Sequence, residues 1–145
     1  MLRRIFQPPP QTLRASIGLL ALRLFCGYAF MVHGWGKIQK PFSWMGADSG
    51  YPGFLQALAA LSEFGGGLAW ILGLLTPLAS FGLACTMAVA SYLHAISMKQ
   101  GFVNTKETPQ SAELPTVFLC VALLLLLAGP GRFSLDAALF REKKS

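Results

Sequence analysis

Two ionisable side chains, Arg23 and Glu63, lie inside long apolar stretches of this 145-residue sequence. An ionised group at the centre of a bilayer costs ~2.5–3.5 kcal/mol on insertion scales, so such a residue needs a partner or a function. Because consecutive spans run in opposite directions, we expect the two groups to lie within about two helical turns in depth and to form a buried ion pair. The pair could simply hold two helices together, or it could also polarise or protonate a ligand.

Polar and aromatic residues recur at helical spacing in each of four apolar stretches. Spacings of three, four or seven residues place each set on one helix face, and we expect the four faces to meet inside a bundle. The sets are Arg23, Cys26, Phe30, His33 and Lys37; Gln56, Glu63 and Trp70; Met87, Ser91, His94 and Met98; and Glu113, Thr116 and Cys120. One half of the membrane receives His33, Lys37, Gln56, His94 and Glu113. The pattern therefore predicts a cavity that opens on that side and ends near Arg23 and Glu63.

A quinone headgroup suits such a cavity, because it needs only one or two hydrogen-bond donors at its carbonyls and an apolar slot for its tail. The candidate contacts are His33, Lys37, His94 and Trp70, with Phe30 beside them.

Metal ligation is the other chemistry that these residue types allow. Met87, His94 and Met98 share one stripe and would suit a soft copper ion, although methionines at helical spacing commonly fill a core. The two histidines at one depth could instead ligate a haem, whereas the further strong ligands that zinc requires are lacking in the sequence.

The composition points to a membrane protein. Apolar residues make up 54% and charged residues 12% of the chain, about half the charge of a soluble domain. These values exclude a soluble globule, a disordered tail and a nucleic-acid-binding arm despite the net charge of +6. A spanning helix needs about 20 mostly apolar residues, which predicts one all-α membrane domain over residues 1–145 with four transmembrane helices. We expect the helices at 15–36, 54–75, 77–98 and 114–129, with only Thr76-Pro77 between the second and third.

The basic residues predict the topology. Seven flank the side of both termini and four flank the other side, and the positive-inside rule therefore places both termini in the cytoplasm. The first group is Arg3, Arg4, Arg14, Arg132, Arg141, Lys143 and Lys144, and the second is Lys37, Lys40, Lys99 and Lys106. We expect the first helix to be retained, since Arg23 interrupts the apolar run of a would-be signal peptide. A short amphipathic helix at about 134–140 is expected to lie on the membrane surface.

Three segments resemble motifs of the DoxX family of four-helix membrane proteins. They are Leu22-Arg23-Leu24-Phe25 through Val32-His33-Gly34-Trp35-Gly36-Lys37; Leu61-Ser62-Glu63-Phe64-Gly65-Gly66-Gly67 with Leu72-Gly73-Leu74-Leu75-Thr76; and Gly131-Arg132-Phe133-Ser134-Leu135-Asp136. The resemblance implies a bacterial or archaeal inner-membrane protein, in a family associated with quinol oxidase, thiosulfate:quinone oxidoreductase, oxidative-stress complexes and copper-related operons. Carried over by position, the family pattern selects Arg23, His33, Lys37 and Glu63, and His94 in the third helix.

The resulting hypothesis is a small subunit or accessory of a quinone-linked redox system. Glu63 would handle the proton, Arg23 would keep Glu63 charged, and His33 and His94 would orient the headgroup. The sequence contains no redox-cofactor motif, so we expect a partner redox subunit or a homo-oligomer rather than a complete enzyme. The alternatives are a non-enzymatic membrane anchor or assembly subunit, and a copper-handling protein using Met87, His94 and Met98.

Overall fold

The computed structural model describes residues 6–46, 48–106 and 110–140, and over these residues the chain is all-helical without a β-strand. The helices are α1 (Leu13–Gln39), α2 (Gly53–Leu72), α3 (Thr76–Tyr92), α4 (Glu113–Ala128) and α5 (Leu135–Phe140). One π-helical turn over Leu93–Ser97 extends α3. Three of these helical segments are long and apolar enough to cross a membrane, and α4 is a shorter apolar helix. The predicted all-α, four-helix membrane bundle is therefore confirmed.

The four long helices run up and down, which gives the bundle two different ends. The described parts of the loops 40–52 and 98–112 lie at one end, which we call the loop end; the α2–α3 turn, residues 6–12 and residues 129–140 lie at the other, the terminal end. The positive-inside rule predicts that the loop end faces away from the cytoplasm.

Glycines allow α1 and α2 to pack with their backbones in contact. A Cβ atom built on Gly27 would lie 2.7 Å from the carbonyl oxygen of Gly67, and one built on Gly34 would lie 2.7 Å from the backbone nitrogen of Phe64. Such close approach requires residues without a side chain. A Cβ atom built on Gly66 would lie 3.0 Å from Cγ of the Leu83 side chain in α3, so the glycine run of α2 contacts both neighbouring helices.

Aromatic side chains from three helices pack together at the centre of the bundle. The rings of Phe30 in α1 and Phe118 in α4 lie 4.7 Å apart between centroids. Trp70 is fully buried, packs edge-on against Phe30 at 5.4 Å, and donates from Nε1 to Oγ of Ser80 at 3.0 Å. The buried core therefore lies between this aromatic group and the terminal end.

The α2–α3 connection is Gly73-Leu74-Leu75 rather than the predicted Thr76-Pro77. Gly73 ends α2 with a φ of +64°, a left-handed conformation that glycine adopts without strain. The chain turns back into α3 at Leu75, whose φ is +49°. The two helices thus form a tight antiparallel hairpin, as the short predicted connection requires.

The short C-terminal helix α5 packs over this turn. The carboxylate of Asp136 accepts hydrogen bonds from the backbone N–H groups of Leu75 (2.7 Å) and Thr76 (2.8 Å), and the Asp136 N–H donates to the carbonyl of Gly73 (2.8 Å). Asp136 is completely buried, whereas Leu139 is 60% exposed. The predicted short C-terminal helix therefore exists, and its buried Asp136 anchors the first turn of α3. The basic residues predicted to follow it lie outside the described residues.

Removing this cap should destabilise the bundle measurably. In Asp136→Ala, two backbone N–H groups lose their acceptor, and each such loss costs about 1–3 kcal/mol. We expect the detergent-solubilised variant to unfold several degrees below the wild type in a thermal scan. Asp136→Asn keeps one acceptor oxygen and should recover part of the loss; equal melting temperatures for Asp136→Ala and the wild type would contradict the capping role.

Candidate functional site

Lys37 and Glu63 form an ion pair at the loop end of the bundle. Lys37 Nζ lies 2.6 Å from Glu63 Oε1 and 2.7 Å from Oε2. The same ammonium group lies 4.4 Å from the centroid of the Trp44 ring, a cation–π contact that further stabilises its charge. The Glu63 side chain is only 4% exposed and that of Lys37 is 26% exposed, so the pair lies at the boundary between the bundle interior and solvent.

The predicted Arg23–Glu63 ion pair is wrong. The α1 residue that faces Glu63 is Gly34, whose added Cβ would lie 3.1 Å from the Glu63 Cβ. Gly34 follows Arg23 by three helical turns, which is about 16 Å along the axis. Counting the depth of each residue from the end of its own apolar stretch underestimated this separation, because the glycine contacts between α1 and α2 set the register.

Arg23 instead joins backbone segments at the terminal end. Its guanidinium donates to four carbonyl oxygens: Trp70 at 2.7 Å, Ile71 at 3.2 Å, Pro130 at 2.6 Å and Phe133 at 2.9 Å. The first two belong to the last turn of α2, where carbonyls lack the N–H partner four residues on that they have in the helix interior. The planar, five-donor guanidinium can satisfy several acceptors at once. Arg23 therefore fastens the C-terminal segment to the end of α2.

A cavity of about 510 Å³ opens at the loop end. Its walls combine charged, imidazole, amide and apolar groups from α1, α2, α3, α4 and the loop 98–112. The lining residues are Phe30, His33, Lys37, Glu63, Met87, Ala90, His94, Met98, Asn104, Gln110, Ser111, Leu114, Pro115 and Phe118. A polar cavity was predicted in this half of the bundle. Glu63 lies in it as predicted, whereas Arg23 and Trp70 are not among the described residues that line it.

The two histidines face this cavity from different helices. His33 of α1 is exposed, and its ring lies 6.5 Å from that of Phe118 in a T-shaped arrangement. His94 lies in the π-helical turn that extends α3, and its Nδ1 is 2.6 Å from Oε1 of Gln100. Local π-helical geometry is frequent at functional sites. Both histidines were predicted from the sequence to lie in the polar half of the bundle, and both line the cavity there.

Of the remaining quinone-contact candidates, Trp70 belongs to the core. Its indole N–H already donates to Ser80, and the residue is fully buried. Burial of the ring between Phe30 and α3 leaves no surface for a headgroup. The structure therefore removes Trp70 from the candidate contacts and leaves His33, Lys37 and His94.

The three copper candidates all line the same cavity. Met87 is 6% exposed and Met98 is 54% exposed. The sulfur of Met98 accepts a hydrogen bond from Nε2 of Gln100 at 3.6 Å. Among the described residues there is no cluster of three or more His, Cys, Asp or Glu side chains that could hold a metal ion.

Gln56, which shares a face with Glu63, organises the loop 40–52 instead of lining the cavity. Its Oε1 accepts from the backbone N–H of Met45 at 3.0 Å, and its Nε2 donates to the carbonyl of Tyr51 at 3.0 Å. Its own carbonyl accepts from the indole of Trp44 at 2.9 Å. Gln56 thereby holds the aromatic ring that lies against Lys37.

Three cavity residues come from the polar loop 98–112 and were not predicted: Asn104, Gln110 and Ser111. The loop turns back toward the bundle, where the N–H of Asn104 donates to Glu113 Oε2 at 2.9 Å and the N–H of Ala112 donates to the carbonyl of Gly101 at 3.1 Å. Its polar composition was visible in the sequence, but helical periodicity gives no information on where a loop folds.

The chain is similar in sequence to known proteins. A family model described as DoxX matches residues 18–96. The chain is 32% identical to "Inner membrane protein YqjF" of Escherichia coli (strain K12), over 88% of this chain and 95% of that protein. It is 30% identical to "Putative oxidoreductase CatD" of Bacillus subtilis (strain 168), over 90% of this chain and 92% of that protein. No solved structure matches the chain.

Proposed function

Because this chain belongs to the DoxX family, we propose that it is a small subunit or accessory of a quinone-linked redox system and that its loop-end cavity binds the quinone headgroup. Its apolar helices and its similarity to an inner-membrane protein identify it as a multi-pass protein of the inner membrane. The name of the Bacillus relative supports a redox role. The electrons would come from a partner oxidoreductase subunit.

The observation that carries this proposal is the composition of the cavity. Its volume of about 510 Å³ falls within the usual range of small-molecule sites, about 300–1,000 Å³. Imidazoles from two helices and an ion pair lie around a floor formed by Phe30, Met87 and Phe118. An apolar ring with two polar substituents at its edge fits such a surface better than a highly charged molecule does.

Lys37 takes the role that the sequence analysis gave to Arg23. An ammonium group has three N–H donors, and two hydrogen bonds to Glu63 leave one that can donate to a ligand carbonyl. The Glu63 carboxylate, held by Lys37 in the cavity wall, is the group that would accept a proton from a reduced ligand. The pair thus offers a donor and a proton acceptor within one wall of the cavity.

Quinone binding should depend on Glu63. With the protein in nanodiscs, we expect Glu63→Gln to weaken binding of a short-chain benzoquinone about tenfold, because the neutral amide no longer holds the Lys37 ammonium, the donor to the quinone carbonyl, by an ion pair, and hydrogen bonds to charged groups contribute about 1.5–3 kcal/mol. Binding is measured by quenching of tryptophan fluorescence. Glu113→Gln is the matched control: Glu113 lies at the loop end outside the cavity lining, and the amide keeps an acceptor for Asn104, so affinity should not change.

Three results would contradict the proposal. They are a wild-type protein that binds no quinone, a lipid extract of the purified protein without quinone, and equal effects of Glu63→Gln and Glu113→Gln. Failure of quinone binding with normal assembly of a larger complex would favour the anchor alternative. Copper that copurifies and is lost in Met87→Leu and Met98→Leu would favour the copper alternative.

A further inference from the structure

We propose that Gln100 is a positioning residue that holds the proton of the neutral His94 ring on Nδ1. The Nε2 atom then offers a lone pair to the cavity, where it accepts a hydrogen bond from a ligand hydroxyl. This inference rests on the proposed function for the class of ligand: the site should bind a hydroquinone more tightly than the corresponding quinone.

Gln100 contacts His94 through both its backbone and its side chain. The Gln100 N–H donates to the carbonyl of His94 at 3.0 Å, and its side-chain Oε1 lies 2.6 Å from His94 Nδ1. The π-helical turn over Leu93–Ser97 ends shortly before Gln100, and the Met98 N–H closes it by donating to the carbonyl of Leu93 at 2.8 Å. Lys99 then reverses the chain with a φ of +52°, a conformation that a residue other than glycine adopts only where its surroundings require it.

The neighbours of the Gln100 amide determine which of its atoms faces His94. Its Nε2 lies 2.9 Å from Oε1 of Gln110 and 3.6 Å from the sulfur of Met98. A thioether sulfur can only accept a hydrogen bond, so the amide nitrogen must lie on that side and the amide oxygen on the side of His94. Because a carbonyl oxygen only accepts, the hydrogen of the neutral imidazole must lie on Nδ1.

The remaining ring nitrogen is then available to a ligand. His94 lines the cavity, whereas Gln100 is not among the described residues that do so; because Nδ1 contacts Gln100, the ring nitrogen left for a ligand is Nε2. A histidine whose Nδ1–H donates to a carbonyl presents Nε2 as an acceptor. A hydroquinone hydroxyl can donate to that lone pair, but a quinone carbonyl cannot.

The first test measures the tautomer without any ligand. The sequence contains only two histidines, so ¹⁵N-histidine labelling of His33→Gln protein leaves the His94 signal alone. At about pH 8.5, where free imidazole is neutral, we expect the ¹⁵N shifts of an Nδ1-protonated ring. Gln100→Leu should shift the population toward Nε2–H, and Gln100→Glu, which keeps an acceptor oxygen, should retain Nδ1–H.

The second test compares a short-chain benzoquinone with its hydroquinone under anaerobic conditions in nanodiscs. We expect the wild type to prefer the hydroquinone about tenfold, the value of one hydrogen bond. In Gln100→Leu the preference should fall to less than about threefold, and in Gln100→Glu it should be largely kept.

The outcomes separate the inference from the proposed function. An Nε2–H tautomer in the wild type, or equal affinity for the two redox forms, would overturn the inference while quinone binding stands. A protein that binds neither form overturns both. A preference for hydroquinone that Gln100→Leu leaves intact would show that another group creates it, and the role of Gln100 would be wrong.

Discussion

Replacing Arg23 with methionine is expected to lower the free energy of unfolding of the bundle by about 2–5 kcal/mol. The guanidinium donates to four carbonyls, and its contacts with Trp70 and Pro130 are fully buried. Each buried acceptor that loses its donor costs about 1–3 kcal/mol. The measurement is thermal or denaturant unfolding of the protein in detergent, together with its yield in the membrane fraction.

A double-mutant cycle distinguishes this role from an ion pair with Glu63. We expect the effects of Arg23→Met and Glu63→Gln on the free energy of unfolding to add within about 0.5 kcal/mol, because the two residues share no partner. Lys37→Met and Glu63→Gln should be strongly non-additive, since their side chains contact each other at 2.6 Å. Coupling between Arg23 and Glu63 as large as that between Lys37 and Glu63 would contradict the structure.

We expect the second large effect on the stability of the bundle from replacing the glycines between α1 and α2 with alanine. In Gly67→Ala the new Cβ would lie 2.6 Å from the carbonyl oxygen of Gly27, and in Gly34→Ala it would lie 2.7 Å from the backbone nitrogen of Phe64. A backbone atom cannot move away as a side chain can, so the two helices must separate or shift. Overpacking of this kind costs about 1–3 kcal/mol and occasionally more.

Gly18 and Gly36 provide matched controls within α1. No heavy atom lies within 4 Å of a Cβ built at either position, and alanine is a better helix former than glycine by about 1 kcal/mol. Gly18→Ala and Gly36→Ala should therefore melt at or above the wild-type temperature. The proposed register would be refuted by variants of Gly34 and Gly67 that melt in the same range as these controls.

The register of α1 on α2 also links stability to the site. It places Gly34 opposite Glu63, so that Lys37, one turn later in α1, reaches the carboxylate. A shift caused by Gly34→Ala should therefore weaken quinone binding as well as stability, whereas Gly36→Ala should weaken neither.

Helical periodicity was sufficient to predict those site residues whose position depends on a single helix. His33, Lys37, Glu63 and His94 were selected because a spacing of three or four residues places polar groups on one face. All four line the cavity. The pairing of Arg23 failed because it depends on two helices at once. A shift of one turn between α1 and α2 moves a side chain by about 5 Å.

Side chains that bind to backbone groups were the other limit of sequence reasoning. Arg23 and Asp136 satisfy carbonyl and N–H groups of the α2–α3 hairpin, and Gln56 binds backbone groups of the loop 40–52 at the other end. Every residue except proline has both of these backbone groups, so the sequence carries no signal for which of them a distant side chain will reach.

The amino-acid sequence by itself determined that the chain is a bundle of apolar helices in a membrane, because only helices can satisfy every backbone group within a lipid-exposed segment. It also determined which half of the bundle would be polar. Tertiary structure alone decided that Lys37 and not Arg23 neutralises Glu63, that Trp70 belongs to the core, and that the loop 98–112 closes one wall of the cavity. The physical reason is that helix register and loop path arise from contacts between distant segments, here the glycine contacts and the polar caps, and local periodicity does not encode them.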